Sequence, residues 1–297
     1  MAAKHRSVGE ELKAVLAITL VTFAAEVAGG VWSNSLALLS DAGHVFGDLL
    51  SIALAFIAFK LAQKPSTIRR TFGYHRGEVL AALANAALLV VITVFVVFEA
   101  FNRLAFSQEV NAAGVFGIGL AGLAANAFVV WRLRRHANLN VRAALLHALG
   151  DALSSVGVVV AGALIALTGQ PLFDPLVSLV IAGIILFSAY RIARTSLSIL
   201  FEFSPYGITA ESVCKAITSV PGVLGAHDVH VWAICSDIIY VTAHVVVRDR
   251  RVSSTHTIGE KIAAGLRKHN ISHTAFQFET PKQKHIRGTG MTCEVSH

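Results

Sequence analysis

An apolar stretch long enough to cross a membrane, Leu36 to Phe59 (LALLSDAGHVFGDLLSIALAFIAF), carries three ionisable residues, Asp41, His44 and Asp48. Crossing hydrocarbon takes about 20 apolar residues, and one ionisable group near the centre of such a span costs at least about 2.5 to 3.5 kcal/mol on insertion scales. Three in one span need compensation from elsewhere in the fold. On a helix, His44 and Asp48 are four residues apart and share a face, one turn from each other. A second apolar segment, ALLHALGDALSS, repeats the spacing with His147 and Asp151. Two nitrogens and two carboxylate oxygens suit a tetrahedral divalent transition metal, zinc first, whereas an all-oxygen set suits magnesium or calcium.

Composition sets the class. Hydrophobic residues make up 55% and charged residues 14%, with mean hydropathy +0.64, against about 25% charged residues in a soluble domain. This predicts a polytopic membrane protein. The net charge of +7 falls in short loops beside apolar spans, where it reads as a topology signal and not as a nucleic-acid surface. Cys214, Cys235 and Cys293 form no CxxC and read as free thiols in a reducing compartment.

Six spans are predicted: 12–32, 36–59, 78–101, 112–131, 143–168 and 175–201. The first is too long for a signal h-region and lacks a small-residue cleavage site, so it is expected to be retained. Lys and Arg number 3, 5 and 4 in residues 1–13 and the loops after spans two and four, but 0, 1 and 0 after spans one, three and five. The positive-inside rule then puts both termini in the cytoplasm. In that orientation the second helix runs inward and the fifth outward. At about 1.5 Å per residue, His44 and Asp48 lie roughly 12 to 20 Å below the outer surface, and His147 and Asp151 roughly 6 to 13 Å above the inner one. In a core about 30 Å thick the two pairs meet near the middle.

After Phe203 the chain is mixed polar and apolar. Residues 204–281 read as a small α+β domain in the order αββαβ, ferredoxin-like, following a six-helix transmembrane domain of residues 1–203. Residues 282–297 read as a flexible tail, in which Cys293 and His297 are expected to be solvated.

The segments SNSLALLSDAGHVFGD, RTFGYHRGEVLAALANA, LNVRAALLHALGDALSSVGVVVAG, PGVLGAHDVHVWAI and VTAHVVV resemble, in order and over nearly the whole chain, the cation diffusion facilitator family on its zinc-transporting branch. The resemblance implies a homodimeric, multi-pass secondary transporter of the plasma or inner membrane, not an enzyme, that exports Zn²⁺ from the cytoplasm in exchange for protons. It implies a transport site at His44, Asp48, His147 and Asp151. It also implies a cytoplasmic zinc site, with zinc as a regulatory ligand, at His227, His244 and Glu279, with His273 and His256 as weaker candidates. Two departures stand out. Arg70 and Tyr74 occupy the expected ligand positions of a loop site between helices two and three, so that site is expected to be missing or reduced, with His75 nearby. The loop between helices four and five holds only His136, which points to a compact prokaryotic-type member.

Asp41, one turn from His44, is expected to relay protons or support the ligands rather than bind metal. Glu26, Asn85, Glu99 and Asn126 are expected to make interhelical hydrogen bonds. His230 is three residues from His227 along a strand, so strand periodicity puts it on the opposite face, outside the site. A di-iron membrane enzyme would require Glu-x-x-His pairs or several His boxes, which the chain lacks; a channel or an uncoupled metal sensor is the remaining rival.

Overall fold

The computed structural model describes residues 2–134, 139–249, 251–281 and 291–294. Among them are eight helices and four strands: α1 (Ala2–Ser33), α2 (Leu36–Ala62), α3 (Arg76–Ala105), α4 (Ala112–Leu133), α5 (Leu139–Thr168), α6 (Phe173–Leu200), α7 (Ala210–Thr218), β1 (Val223–Cys235), β2 (Ile238–Val247), α8 (Val252–Arg267), β3 (Ile271–Glu279) and β4 (Met291–Glu294). The chain divides into two compact units, Met1–Leu54 with Ala84–Ile192, and Ala55–Leu83 with Ala193–His297.

Helices α1 to α6 each contain a span long and apolar enough to cross a membrane. Their outward surface is apolar, as contact with lipid requires: Val91, Val94, Phe95, Phe98 and Phe101 of α3 are all exposed. Inside the first unit the packing is close. Ala37, Leu38, Leu89, Val115, Val158, Ile181 and Ile185 form a buried cluster, and α4 meets α5 at Gly162, where a Cβ would stand 2.6 Å from the Phe116 amide nitrogen. Only a glycine permits that approach.

The start of α2 is held by a residue of α6, far from it in sequence. Asp174, fully buried, accepts from the amides of Leu36 (2.6 Å) and Ala37 (3.2 Å) and from the Ser35 hydroxyl (2.5 Å). Those amides have no partner within their own helix, and a carboxylate at a helix N-terminus also complements the dipole. Arg103 stands 3.9 Å from the same carboxylate and donates to the Asn34 carbonyl at 2.7 Å. The turn after α1 is made by Asn34, at φ 53°, a conformation asparagine tolerates.

In the second unit, a sheet of order β3-β2-β1-β4 is covered on one face by α7 and α8. β1 pairs antiparallel with β2 and β4, and β2 pairs parallel with β3. The expected αββαβ order is present, and Met291–Glu294 adds a strand beside β1 within the stretch read as a tail. Residues 282–290 and 295–297, including His297, lie outside the described residues, as does His136. The core-facing residues Val231, Val241, Ala243 and Val245 pack with Ile217, Ile258, Ile262 and Leu266 of the helices. Cys235 is buried and free, but Cys214 is disulfide-bonded, contrary to the free-thiol expectation. Cys214 is fully buried on α7, which packs against β1 and β4.

Candidate metal centre

The two His-x-x-x-Asp pairs meet inside the first unit. His44 lies 3.7 Å from Asp48 on its own helix and 3.7 Å from Asp151 across the helix pair. His147 lies 3.5 Å from Asp48 and 3.6 Å from Asp151. Every imidazole thus approaches both carboxylates. Ligands about 2.0 to 2.1 Å from a tetrahedral zinc ion are separated by about 3.4 Å, so the spacings match an ion at the centre after a small contraction. His44, Asp48 and Asp151 present one donor atom each within 4.8 Å of one another; His147 lies outside that group and is more exposed, at 45% against 8% for Asp151.

The carboxylates are chemically prepared for a cation. Asp48 Oδ2 and Asp151 Oδ1 are buried and meet no hydrogen-bond donor among the described residues. A buried acceptor without a donor is costly, and a divalent ion removes that cost. Asp41 stays outside the donor set. Its Oδ1 accepts from Ser154 Oγ at 2.5 Å and its Oδ2 from Ser155 Oγ at 3.4 Å. Ser154 in turn reaches the Asp151 carbonyl at 3.0 Å, so Asp41 is tied to the turn of α5 that bears a candidate ligand.

The other polar residues in the spans divide. Asn85 donates to Ser51 Oγ at 2.6 Å and Asn126 to Ser155 Oγ at 3.2 Å, both between helices as expected. Glu99 pairs instead with Arg103, one turn along its own helix. Glu26 is buried with Oε2 lacking a donor among the described residues.

A second cluster lies on the sheet face away from α7 and α8. His227 and His244 are direct cross-strand partners with ring centroids 5.0 Å apart, and parallel pairing of β3 beside β2 sets Glu279 against Val246. His227 Nε2 is 3.0 Å from Glu279 Oε2, and His244 Nδ1 is 2.6 Å from Glu279 Oε1. Glu279 is 3% exposed and also accepts from Gln277 Nε2 at 3.0 Å. The weaker candidates are not brought in. His273 stacks on Tyr240 at 4.5 Å, where the register places it, and His256 faces Glu260 on the exposed surface of α8, a helix that covers the opposite side of the sheet.

Two residues of this cluster escaped sequence reading. β1 is bulged between His227 and His230: His227 opposes His244 and His230 opposes Thr242. Three steps on β1 match two on β2, so His230 comes to the same face as His227 and not the opposite one. Asp228 absorbs the extra residue at φ 53°. Its carboxylate lies 3.0 Å from His230 Nε2 and 3.8 Å from His244 Nε2. The signal was present in the spacing of the core residues: Ala226 and Val229 are three apart where Val229, Val231 and Ala233 alternate by two. In the loop before α3, the Arg70 guanidinium lies over the Tyr74 ring and bonds its hydroxyl, so the two non-ligand residues engage each other.

Comparison with known proteins identifies the family of both parts of the chain. The profile of the cation efflux transmembrane domain matches residues 12–201, and that of the cation efflux protein cytoplasmic domain matches residues 205–280. The chain is 36% identical over 294 residues, 96% of its length and 94% of the relative's, to the cadmium, cobalt and zinc/H⁺-K⁺ antiporter of Bacillus velezensis. It is 35% identical to the metal cation efflux system protein CzcD of Cupriavidus metallidurans, over 90% of this chain and 85% of that one. It is 41% identical to the zinc transporter ZitB of Escherichia coli, over 75% and 72%. With these two profiles together spanning nearly the whole chain, this multi-pass membrane protein belongs to the cation efflux family, the cation diffusion facilitators that its sequence resembles.

Proposed function

We propose that the chain exports Zn²⁺, and with it Cd²⁺ or Co²⁺, from the cytoplasm in exchange for protons, through a four-ligand site of His44, Asp48, His147 and Asp151. The observation that carries this reading is the approach of both imidazoles to both carboxylates at 3.5 to 3.7 Å inside a bundle of membrane-length helices. The relatives named for zinc, cadmium and cobalt support it.

Coupling follows from the donors. Imidazole and carboxylate bind metal only when deprotonated, so each proton taken up by the set weakens its hold on zinc, and each zinc bound expels protons. When the site opens to the cytoplasm it loads zinc; when it opens outward, protons from outside displace the ion. The basic loops support cytoplasmic termini and a plasma or inner membrane location. The match of residues 205–280 to a domain that pairs subunits supports a homodimer. We assign His227, His244 and Glu279 to a regulatory zinc site on that domain, where bound metal stabilises one arrangement of the dimer over another.

A channel is the alternative, and one measurement separates the two. In liposomes holding the purified full chain, an imposed pH gradient drives zinc against its own gradient if the exchange is coupled. A zinc flux indifferent to the pH gradient would refute the antiport.

A further inference from the structure

Beside the ligand set, the first unit buries two more carboxyls. Glu26 of α1 and Asp41 of α2 are each 2% exposed. The charged groups that face Glu26 are Asp41 and Asp151, and His44 faces Asp41 from its own helix. Helix α4 contributes no charge there. It presents Gly122, where a Cβ would stand 3.2 Å from Glu26 Oε1, and Asn126, which bonds Ser155. No lysine or arginine stands among these groups.

Charge bookkeeping then constrains their state. A zinc ion on the four ligands carries two charges, and these offset Asp48 and Asp151. Glu26 and Asp41 are left over, and a buried carboxyl without a counter-ion keeps its charge only where hydrogen-bond donors hold it. The hydrogen bonds distinguish the two. Asp41 accepts from Ser154 and Ser155, as a carboxylate does. Glu26 Oε2 has no donor among the described residues, and where histidines approach Asp48 and Asp151, only carboxyls face Glu26, so burial favours its neutral form. Both lie toward the turn that joins α1 to α2. Glu26 is seven residues before Ser33, and Asp41 five after Leu36, about 10 and 8 Å from those helix ends, whereas Asp48 is about 18 Å in.

We propose that Glu26 and Asp41 form a proton relay between the outer face and the metal site, in which Glu26 holds the proton while zinc is bound. This rests on the transport-site reading above. On release, the Glu26 O–H bond breaks, its proton passes to Asp41, and Asp41 hands a proton to a ligand as that ligand's bond to zinc breaks. Glu26 then takes a new proton from the outer solution, which restores the relay for a second passage, so that two protons replace the two charges of the departing zinc.

The test uses the full chain in liposomes, with zinc as the only metal. Glu26→Gln mimics the neutral acid but cannot give up a proton. Zinc binding near pH 8 is expected to stay within about threefold of the parent, while flux driven by outer protons falls at least about tenfold and loses its dependence on outer pH between about 6 and 8. Asp41→Asn interrupts the relay at its next member and should give the same flattened profile; it serves if the Gln variant does not fold. A parent-like outer-pH profile in either folded variant overturns the relay. Asp48→Ala, run in parallel, separates the two claims: if it still carries zinc across the membrane at the parent rate, the transport site itself is misassigned.

Discussion

The membrane cluster and the sheet cluster use the same chemistry, histidine with carboxylate, and reach it by different geometry. In the membrane unit two helices each supply a His and an Asp one turn apart, and the buried carboxylate oxygens stand without hydrogen-bond donors. In the sheet unit the donors come from three strands, and Glu279 is already hydrogen-bonded to His227 and Gln277, with His244 Nδ1 2.6 Å away. A set left without donors gains most from a cation and gives it up once protons satisfy the same atoms, which suits a carrier. A set already bonded to itself gains less from a cation, which is compatible with the regulatory role proposed for it.

The comparison breaks first on the ligands themselves. Asp48→Ala or Asp151→Ala removes half of the carboxylate charge, and zinc affinity should fall by more than about a hundredfold with transport lost. Calorimetric zinc binding and liposome flux report both, and retained flux would mean the two clusters have been assigned the wrong roles. A double change, His227→Ala with His244→Ala, should leave maximal flux within about twofold but raise the zinc concentration for half-maximal rate by about three- to tenfold. An unchanged zinc dependence removes the regulatory role. The smallest effect belongs to the bulge. Asp228→Gly keeps the backbone, since glycine accepts φ 53° freely, and should weaken zinc binding by the isolated sheet site no more than about tenfold. Asp228→Val should instead destabilise the sheet by about 1 to 2 kcal/mol, read as a lowered Tm, because a branched side chain resists that conformation.

What could be read from sequence follows the same division. His44, Asp48, His147 and Asp151 were legible because helical spacing is regular and the membrane fixes depth, so four positions and a thickness suffice. The order of elements after residue 204 was legible from periodicity for the same reason. His230 was misplaced because one extra residue reverses a strand's faces, and nothing but the phase of the neighbouring apolar residues reports it. Asp174 was invisible because its partners, Ser35, Leu36 and Ala37, are far from it in sequence, and a buried carboxylate that caps another helix has no local pattern. The disulfide at Cys214 escaped for a related reason: spacing alone gave no pairing, and fold proximity decides it.

The grip of Asp174 on the first residues of α2 turns that helix into a lever with one fixed end. His44 and Asp48 ride on it about 12 and 18 Å from the pin. A tilt of about 10° around the pin therefore carries them about 2 to 3 Å, an order of magnitude beyond the few tenths of an ångström that a zinc–ligand bond tolerates. The site can be dismantled by a helix movement too small to disturb the packing at its anchored end.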